Sequence, residues 1–149
     1  MKVVKLDNNA TVPTRKHPTD AGLDFYSLHT RIIPPNGTAI LQTGIAIDIP
    51  VGYFGLLKPK GGSDFSIGAG VVDAGYQGEI LVKVINHHTF AVPIYSGEAI
   101  AQLVVVPILT PNVEQVSYEE FQHTTDRGAT GGIVTQLKTA TFTSETKED

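Results

Sequence analysis

The chain has 149 residues, no cysteine, and 11 basic against 15 acidic side chains, for a net charge of −4. The length predicts one domain, and the missing cysteines exclude a disulfide framework and a thiolate metal site. The acidic balance argues against a nucleic-acid binder with a broad basic face. No stretch is long enough for a membrane span, and the N-terminus lacks a signal-peptide pattern. We therefore expect a cytoplasmic protein with no nucleic-acid or membrane partner.

Glycine (15) and proline (9) are scattered along the chain, which favours many short strands joined by tight turns and hence an all-β fold. Strands are expected at 1–6, around 20–27, and at 31–33, 39–49, 53–57, 80–85, 90–95 and 99–107. Residues 113–121 have some helical character, but we expect a strand and a turn there. Residues 135–149 are polar and are expected to form a mobile tail.

The segment Asp20–Asp24 contains the first candidate site residue. Leu23 and Phe25 can point to the core while Asp24 points to the other face. Asp24 is therefore a candidate functional carboxylate, although a turn or an edge strand would also explain it.

The loop Lys58-Pro-Lys60-Gly-Gly-Ser63 combines two lysines, two glycines and a serine. Such a loop can turn backbone N–H groups around an anion. A flexible surface loop has the same composition, and the spacing is not that of a P-loop.

The stretch Gly70–Ile80 is the most informative part of the sequence. Asp73 precedes a glycine turn at Gly75, and Tyr76 and Gly78 lead into an alternating apolar run. This pattern predicts a β-hairpin that holds a carboxylate and a phenol ring close together. Ordinary turn chemistry explains Asp and Gly at a bend equally well.

Four further residues deserve comment, two of them as site candidates. Gln102 is the one polar residue in an apolar strand, so it must brace the fold or face a site. His87 and His88 are adjacent, so they would face opposite sides of a strand; we interpret them as turn residues. Arg127 lies in a glycine-rich run, 124–132.

Five segments in order resemble those of the trimeric dUTPases, which hydrolyse dUTP to dUMP and pyrophosphate. Together they span residues 20–131, most of the chain, and the third is the most specific. We call them the first to fifth segments: 20–24, 59–63, 70–79, 97–103 and 127–131.

The resemblance implies a jelly-roll-like distorted β-barrel that assembles as a homotrimer, with three sites at the subunit interfaces. It divides the chain into a barrel domain, 1–126, and a C-terminal arm, 127–149, that reaches over a neighbour's site. It also implies Mg²⁺ as the cofactor.

Residue roles follow from the resemblance, position by position. Asp73 corresponds to the residue that deprotonates the attacking water, and Tyr76 to the ring that packs on deoxyribose and excludes a 2′-hydroxyl. The backbone around Gly75 and Gly78 would read uracil. Asp24 corresponds to a carboxylate that contacts the water shell of magnesium. The phosphate contacts would come from the 60–63 loop (Lys60, Gly61, Gly62, Ser63), Gln102 and Arg127.

The second, fourth and fifth segments depart from the family pattern. Lys60-Gly61-Gly62 stands where Arg-Ser-Gly or Arg-Ser-Ser is usual, and Ser63 is the nearest replacement for the serine. Ala99 replaces a common arginine, and Gly132 replaces the aromatic residue that stacks on uracil. These changes predict a weaker grip on phosphate or an altered arm.

Two other functions stay open beside dUTP hydrolysis. A nucleotide-binding or regulatory homologue that has lost turnover would explain the missing side chains. A dCTP deaminase, which shares the fold, would need a further carboxylate at the cytosine amine, and Glu79 is the nearby candidate.

Overall fold

The computed structural model describes residues 1–121; Arg127, the 127–149 arm and the boundary at 126 lie outside them. The described residues fall into two units, Met1–Pro111 and a second that begins at Asn112. The first unit contains strands and turns and no helix, so the predicted all-β class is confirmed.

A four-stranded antiparallel sheet carries most of the candidate site. Its order is β2 (Gly22–Tyr26), β11 (Ala99–Pro107), β6 (Tyr53–Lys58) and β8 (Val71–Val72). β11 is a central strand of this sheet, and its first half is the more deeply buried.

The remaining strands form one three-stranded sheet and two ribbons. The sheet has the order β4 (Thr38–Gln42), β9 (Leu81–Ile85) and β7 (Ser66–Gly68). The ribbons pair β1 (Lys2–Lys5) with β5 (Ile45–Asp48), and β10 (Val92–Ile94) with β3 (Arg31–Ile33).

Apolar side chains that alternate along the strands form one core. β9 shows the pattern clearly, because Val82 and Val84 are fully buried while Leu81 and Lys83 are exposed. The side chains with the least exposure come from several sheets: Phe25, Ile33, Leu41, Ile45, Ile80, Ile94, Ile100 and Leu103.

The predicted strand 39–49 is interrupted. β4 ends at Gln42 and β5 begins at Ile45, and the two belong to different sheets. Gly44 has φ of 66° and is packed against Ala10, so the chain turns a corner there that a residue with a Cβ would strain.

The hairpin prediction for 70–85 is wrong in one respect. β8 pairs with β6 and β9 pairs with β4 and β7, so the two arms do not pair with each other. The chain instead crosses between sheets twice, first through Ala69 and Gly70, which both have positive φ, and then through the 73–80 turn. Gly70 also approaches Leu57 closely, since an added Cβ would lie 2.8 Å from the Leu57 carbonyl oxygen.

The second unit corrects another expectation. Residues 113–117 form no strand, and a short helix, α1, spans Tyr118–Phe121. Ser117 and Glu120 cap it reciprocally, because the Glu120 N–H donates to Ser117 Oγ at 3.3 Å and the Ser117 N–H donates to Glu120 Oε2 at 3.2 Å. This Ser-x-x-Glu capping box explains why the segment turns helical.

Candidate active site

Three polar side chains form a row across the outer face of the four-stranded sheet. Gln102 of β11 lies opposite Asp24 of β2 and opposite Lys58 of β6. The adjacent register places Leu23, Leu103 and Leu57 on the core face, and all three are buried. The alternation of the strands therefore brings the first and fourth segments together.

The second segment joins this row through Lys60. The Lys60 ammonium donates to Asp24 Oδ1 at 2.5 Å, and the side chains are only 33% and 14% exposed. Gln102 Nε2 donates to the Pro59 carbonyl at 3.1 Å, which holds the start of the loop against β11. Gly22 makes room for Gln102, since a Cβ at Gly22 would lie 2.6 Å from Gln102 Oε1.

The loop beyond Lys60 forms a tight turn beside a cavity of about 300 Å³. The turn is closed by the Ser63 N–H, which donates to the Lys60 carbonyl at 3.0 Å. The cavity is lined by the loop and by the strands behind it: Lys60, Gly62, Ser63, Asp64, Phe65, Val92, Pro93, Glu98 and Ala99. Gly62 and Ala99 are the small residues of this lining, which also includes Lys60.

The third segment places Asp73 and Tyr76 in one turn. The Tyr76 N–H donates to the Asp73 carbonyl at 3.1 Å, and the Tyr76 hydroxyl donates to the Glu79 carbonyl at 2.7 Å. The ring lies over Gly78, where a Cβ would come within 2.7 Å of the Tyr76 hydroxyl oxygen. The Asp73 side chain is exposed and bonds no other described residue.

The end of this turn is hydrogen-bonded to the corner between β4 and β5. Glu79 Oε1 accepts a hydrogen bond from the Gly44 N–H at 2.8 Å, and Thr43 Oγ1 donates to the Ile80 carbonyl at 2.7 Å. The Ile80 N–H donates to the Ile45 carbonyl at 2.8 Å. The Glu79 carboxylate thus serves as a structural acceptor.

The two groups of candidates lie far apart within one chain. Because Val72 pairs with Gly55, Asp73 lies next to Phe54, four positions before Lys58 on β6. Asp24 and Asp73 are separated by three strand spacings across the sheet and by four residues along the strand direction. Strand geometry puts them roughly 20 Å apart. A single chain therefore presents two separate clusters, Asp24–Lys60–Gln102 and Asp73–Tyr76.

The residues that the structure describes contain no group of three or more metal-ligating side chains close enough to hold an ion directly. Asp24 nevertheless fits an outer-sphere role, because Lys60 occupies Oδ1 and no described residue bonds Oδ2. Magnesium keeps several waters and is commonly held through one or two carboxylates and substrate phosphates.

Sequence reasoning missed two features of the site. Lys58 was treated as part of the loop, but it ends β6 and extends the row beside Gln102. Phe65, Val92 and Pro93 form the apolar wall of the cavity, and nothing local in the sequence indicates that they meet.

The fold is similar to solved structures of dUTPases. A Staphylococcus bacteriophage 80alpha dUTPase with dUpNHpp matches with a TM-score of 0.81 and 34% identity, over 88% of this chain and 95% of that one. A mutant dUTPase from phage phi11 of S. aureus, described as coordinating a structural Mg(II) ion, matches with a TM-score of 0.74 and 32% identity, over 79% and 97%.

Sequence comparison agrees with the fold. The dUTPase family model matches residues 8–133. The deoxyuridine 5'-triphosphate nucleotidohydrolase of Yarrowia lipolytica is 34% identical over 99% of both chains. That of Mycolicibacterium vanbaalenii is 41% identical over 80% of this chain and 83% of its own. The chain belongs to the dUTPase family.

Proposed function

We propose that the chain hydrolyses dUTP to dUMP and pyrophosphate and so limits the incorporation of uracil into DNA. The single observation that carries the proposal is the 73–79 turn. It offers a carboxylate that no described residue neutralises, three residues from a phenol ring whose position is fixed. This is the arrangement that water activation beside a deoxyribose requires.

Asp73 would act as the general base. Its carboxylate accepts a proton from a water whose oxygen attacks the α-phosphorus, while the bond from that phosphorus to the bridging oxygen breaks and pyrophosphate leaves. A positioned base of this kind contributes roughly 10²–10⁴-fold to the rate. The exposed side chain of Asp73 leaves space for both the water and the substrate.

Tyr76 would select the sugar. Its ring is held at the hydroxyl end, by the hydrogen bond to the Glu79 carbonyl and by the close approach of Gly78. A ring fixed in this way offers a flat surface to deoxyribose and leaves no space for a 2′-hydroxyl. The backbone of the turn around Gly75 and Gly78 has exposed positions and can bind the polar edge of uracil.

The Asp24–Lys60–Gln102 cluster would bind the triphosphate. Lys60 supplies positive charge, Gln102 lies beside it, and Asp24 can accept a hydrogen bond from the water shell of Mg²⁺. Such an ion, when bound, neutralises charge on the phosphates and on the leaving pyrophosphate. Arg127 would add a further cation, although it lies outside the described residues.

We also propose that the active enzyme is a homotrimer. Asp73 and Asp24 are roughly 20 Å apart in one chain by strand geometry. The cluster of one subunit would then complete the 73–79 turn of the next, and each site would lie at an interface.

The cellular compartment stays a prediction. Among residues 1–121, no helix is long and apolar enough to cross a membrane. The cytoplasmic location expected from the sequence would be checked by fractionation.

The deciding experiment is turnover of dUTP, dCTP, dTTP and UTP side by side, with and without Mg²⁺, measured as pyrophosphate release. We expect release from dUTP only, stimulated by Mg²⁺, and a fall of 10²-fold or more for Asp73→Asn. Asp48→Asn, an exposed carboxylate on β5, is the matched control and should behave as wild type. Binding of dUpNHpp without hydrolysis of dUTP would instead identify a nucleotide-binding homologue.

A further inference from the structure

The side chain of Gln102 holds the start of the loop that follows β6. Its Nε2 donates to the Pro59 carbonyl at 3.1 Å, and that carbonyl is the one partner of this side chain among residues 1–121. Pro59 has no N–H, and β6 ends at Lys58, so backbone pairing with β11 stops just before this carbonyl. A side chain of β11 therefore attaches the chain at the point where the sheet ends.

The attachment at Pro59 restricts the residue that follows it. The Pro59 carbonyl and the Lys60 Cα belong to one planar peptide unit, so a hydrogen bond that fixes the carbonyl also fixes where the Lys60 side chain begins. From there Lys60 Nζ reaches Asp24 Oδ1 at 2.5 Å, although β6 and β2 lie on opposite sides of β11. The Gln102 bond therefore supports the contact between Lys60 and Asp24.

Gly22 gives Gln102 the space for this orientation. Gly22 and Asp24 are two residues apart on β2 and lie on the same face, and Gln102 is opposite Asp24. A Cβ at Gly22 would lie 2.6 Å from Gln102 Oε1 and 2.9 Å from Gln102 Cβ. Oε1 could swing away, but Cβ is bonded to the backbone of β11. Any side chain at position 22 would therefore displace Gln102 or separate the two strands.

We propose that Gln102 is a positioning residue that holds the loop so that Lys60 lies beside Asp24, and that Gly22 makes this possible. This inference rests on the proposed function, and it gives Gln102 a role through the loop instead of a direct contact with phosphate. It also adds Gly22 to the site, although Gly22 has no side chain. The reaction would depend on both residues through the position of the Lys60 charge.

A measurement without nucleotide tests the positioning directly. Gln102→Met keeps a side chain of similar length that cannot donate to Pro59, and Gly22→Ala pushes Gln102 out of place. The Ser63 N–H donates to the Lys60 carbonyl at 3.0 Å, so amide hydrogen exchange at Ser63 reports on the order of the loop. We expect exchange there to be roughly fivefold faster or more in both variants, because a hydrogen bond that anchors the loop is lost.

Calorimetry with two nucleotides tests the consequence for binding. dUMP lacks the β- and γ-phosphates, so it depends less than dUpNHpp on the charge of Lys60. We expect Gln102→Met and Gly22→Ala each to weaken dUpNHpp binding roughly tenfold and dUMP binding roughly threefold at most, because a charge-assisted phosphate contact is misplaced. The double variant should bind dUpNHpp about as weakly as either single variant, since both changes remove the same support.

Gly37→Ala is the matched control for Gly22→Ala. A Cβ at Gly37 would lie 2.5 Å from Pro34 Cγ, so the substitution crowds the structure to a similar degree, in a turn outside the candidate site. This variant should bind both nucleotides, and exchange at Ser63, as wild type does.

The outcomes separate this inference from the proposed function. Unchanged exchange at Ser63 in Gln102→Met refutes the positioning role, and weaker dUpNHpp binding in that case would mean that Gln102 contacts the nucleotide directly. Losses that multiply in the double variant would show that Gly22 and Gln102 act independently, which also refutes it. If wild type neither binds dUpNHpp nor hydrolyses dUTP, the proposed function fails, and exchange at Ser63 still decides whether the two residues position the loop.

Discussion

Lys60 Nζ lies 2.5 Å from Asp24 Oδ1, a contact that joins two residues 36 positions apart in the sequence. It ties the loop after β6 to the edge strand β2 across the intervening strand β11. Both partners are partly shielded from solvent, so each depends on the other for charge compensation. This contact holds the Lys60 ammonium group at the position where we propose that it binds phosphate.

Removal of the Lys60 charge tests this pair. Lys60→Met keeps the apolar stem but leaves Asp24 unpaired, so we expect the free energy of unfolding to fall by about 1 kcal/mol. We also expect kcat/KM for dUTP to fall about tenfold or more, because a charge-assisted phosphate contact is lost. Urea unfolding and pyrophosphate release measure the two effects.

Lys83→Met is the control for that variant, because Lys83 is exposed on β9 and its side chain bonds no described residue. In the Lys60→Met/Asp24→Asn double variant, the loss of stability should be smaller than the sum of the single losses. Losses that add strictly would show that the Lys60–Asp24 contact contributes nothing to stability.

The ring of Tyr76 provides a test of sugar selection. Tyr76→Ala removes the surface, and Gly78→Ala displaces the ring because its Cβ would lie 2.7 Å from the hydroxyl oxygen. We expect both variants to raise the ratio of UTP to dUTP turnover at least tenfold, because the steric contact that excludes the 2′-hydroxyl is lost. Tyr76→Phe keeps the ring and should keep the discrimination.

Tyr95→Ala, another exposed tyrosine, is the matched control and should leave the ratio unchanged. Unaltered discrimination in Tyr76→Ala would remove Tyr76 from the sugar site.

Variants at Glu79 test whether its carboxylate has a structural or a catalytic role. Glu79→Ala leaves the buried Gly44 N–H without its acceptor, so we expect the free energy of unfolding to fall by about 1–3 kcal/mol. Glu114→Ala, in an exposed position, should change it little. Because the carboxylate is occupied by the backbone, we expect no ammonia from dCTP; release from wild type and not from Glu79→Gln would restore the deaminase hypothesis.

We expect Asp20 to contribute to the loss of folding stability at acid pH. The His17 N–H donates to Asp20 Oδ2 at 2.9 Å, and this bond lowers the pKa of the carboxyl below its ordinary value of 3.8. A lowered pKa means stability that is present above pH 3.8 and is lost as the pH falls through the folded value. Carbon-13 NMR titration should give a pKa below 3.8, and Asp20→Asn should remove the corresponding part of the pH dependence.

The sequence determined the local features that depend on alternation and turn chemistry. Leu23 and Phe25 face the core on β2, as predicted. The turn at Pro34–Gly37 is present, with Asn36 at φ of 52° and the Gly37 N–H bonded to the Pro34 carbonyl. These features follow from a few neighbouring residues and the physics of one strand or turn.

The partners of each strand were decided only by the tertiary structure. The alternating run after Gly78 predicted a strand correctly, but its pairing with β4 and β7 instead of β8 depends on distant residues. Likewise, Lys58 looked like a loop residue until β11 placed Gln102 opposite it. Side-chain alternation fixes which face a residue occupies and says nothing about which strand lies beside it. The Asp24–Lys60–Gln102 cluster and its distance from Asp73 therefore emerge only when the sheets assemble.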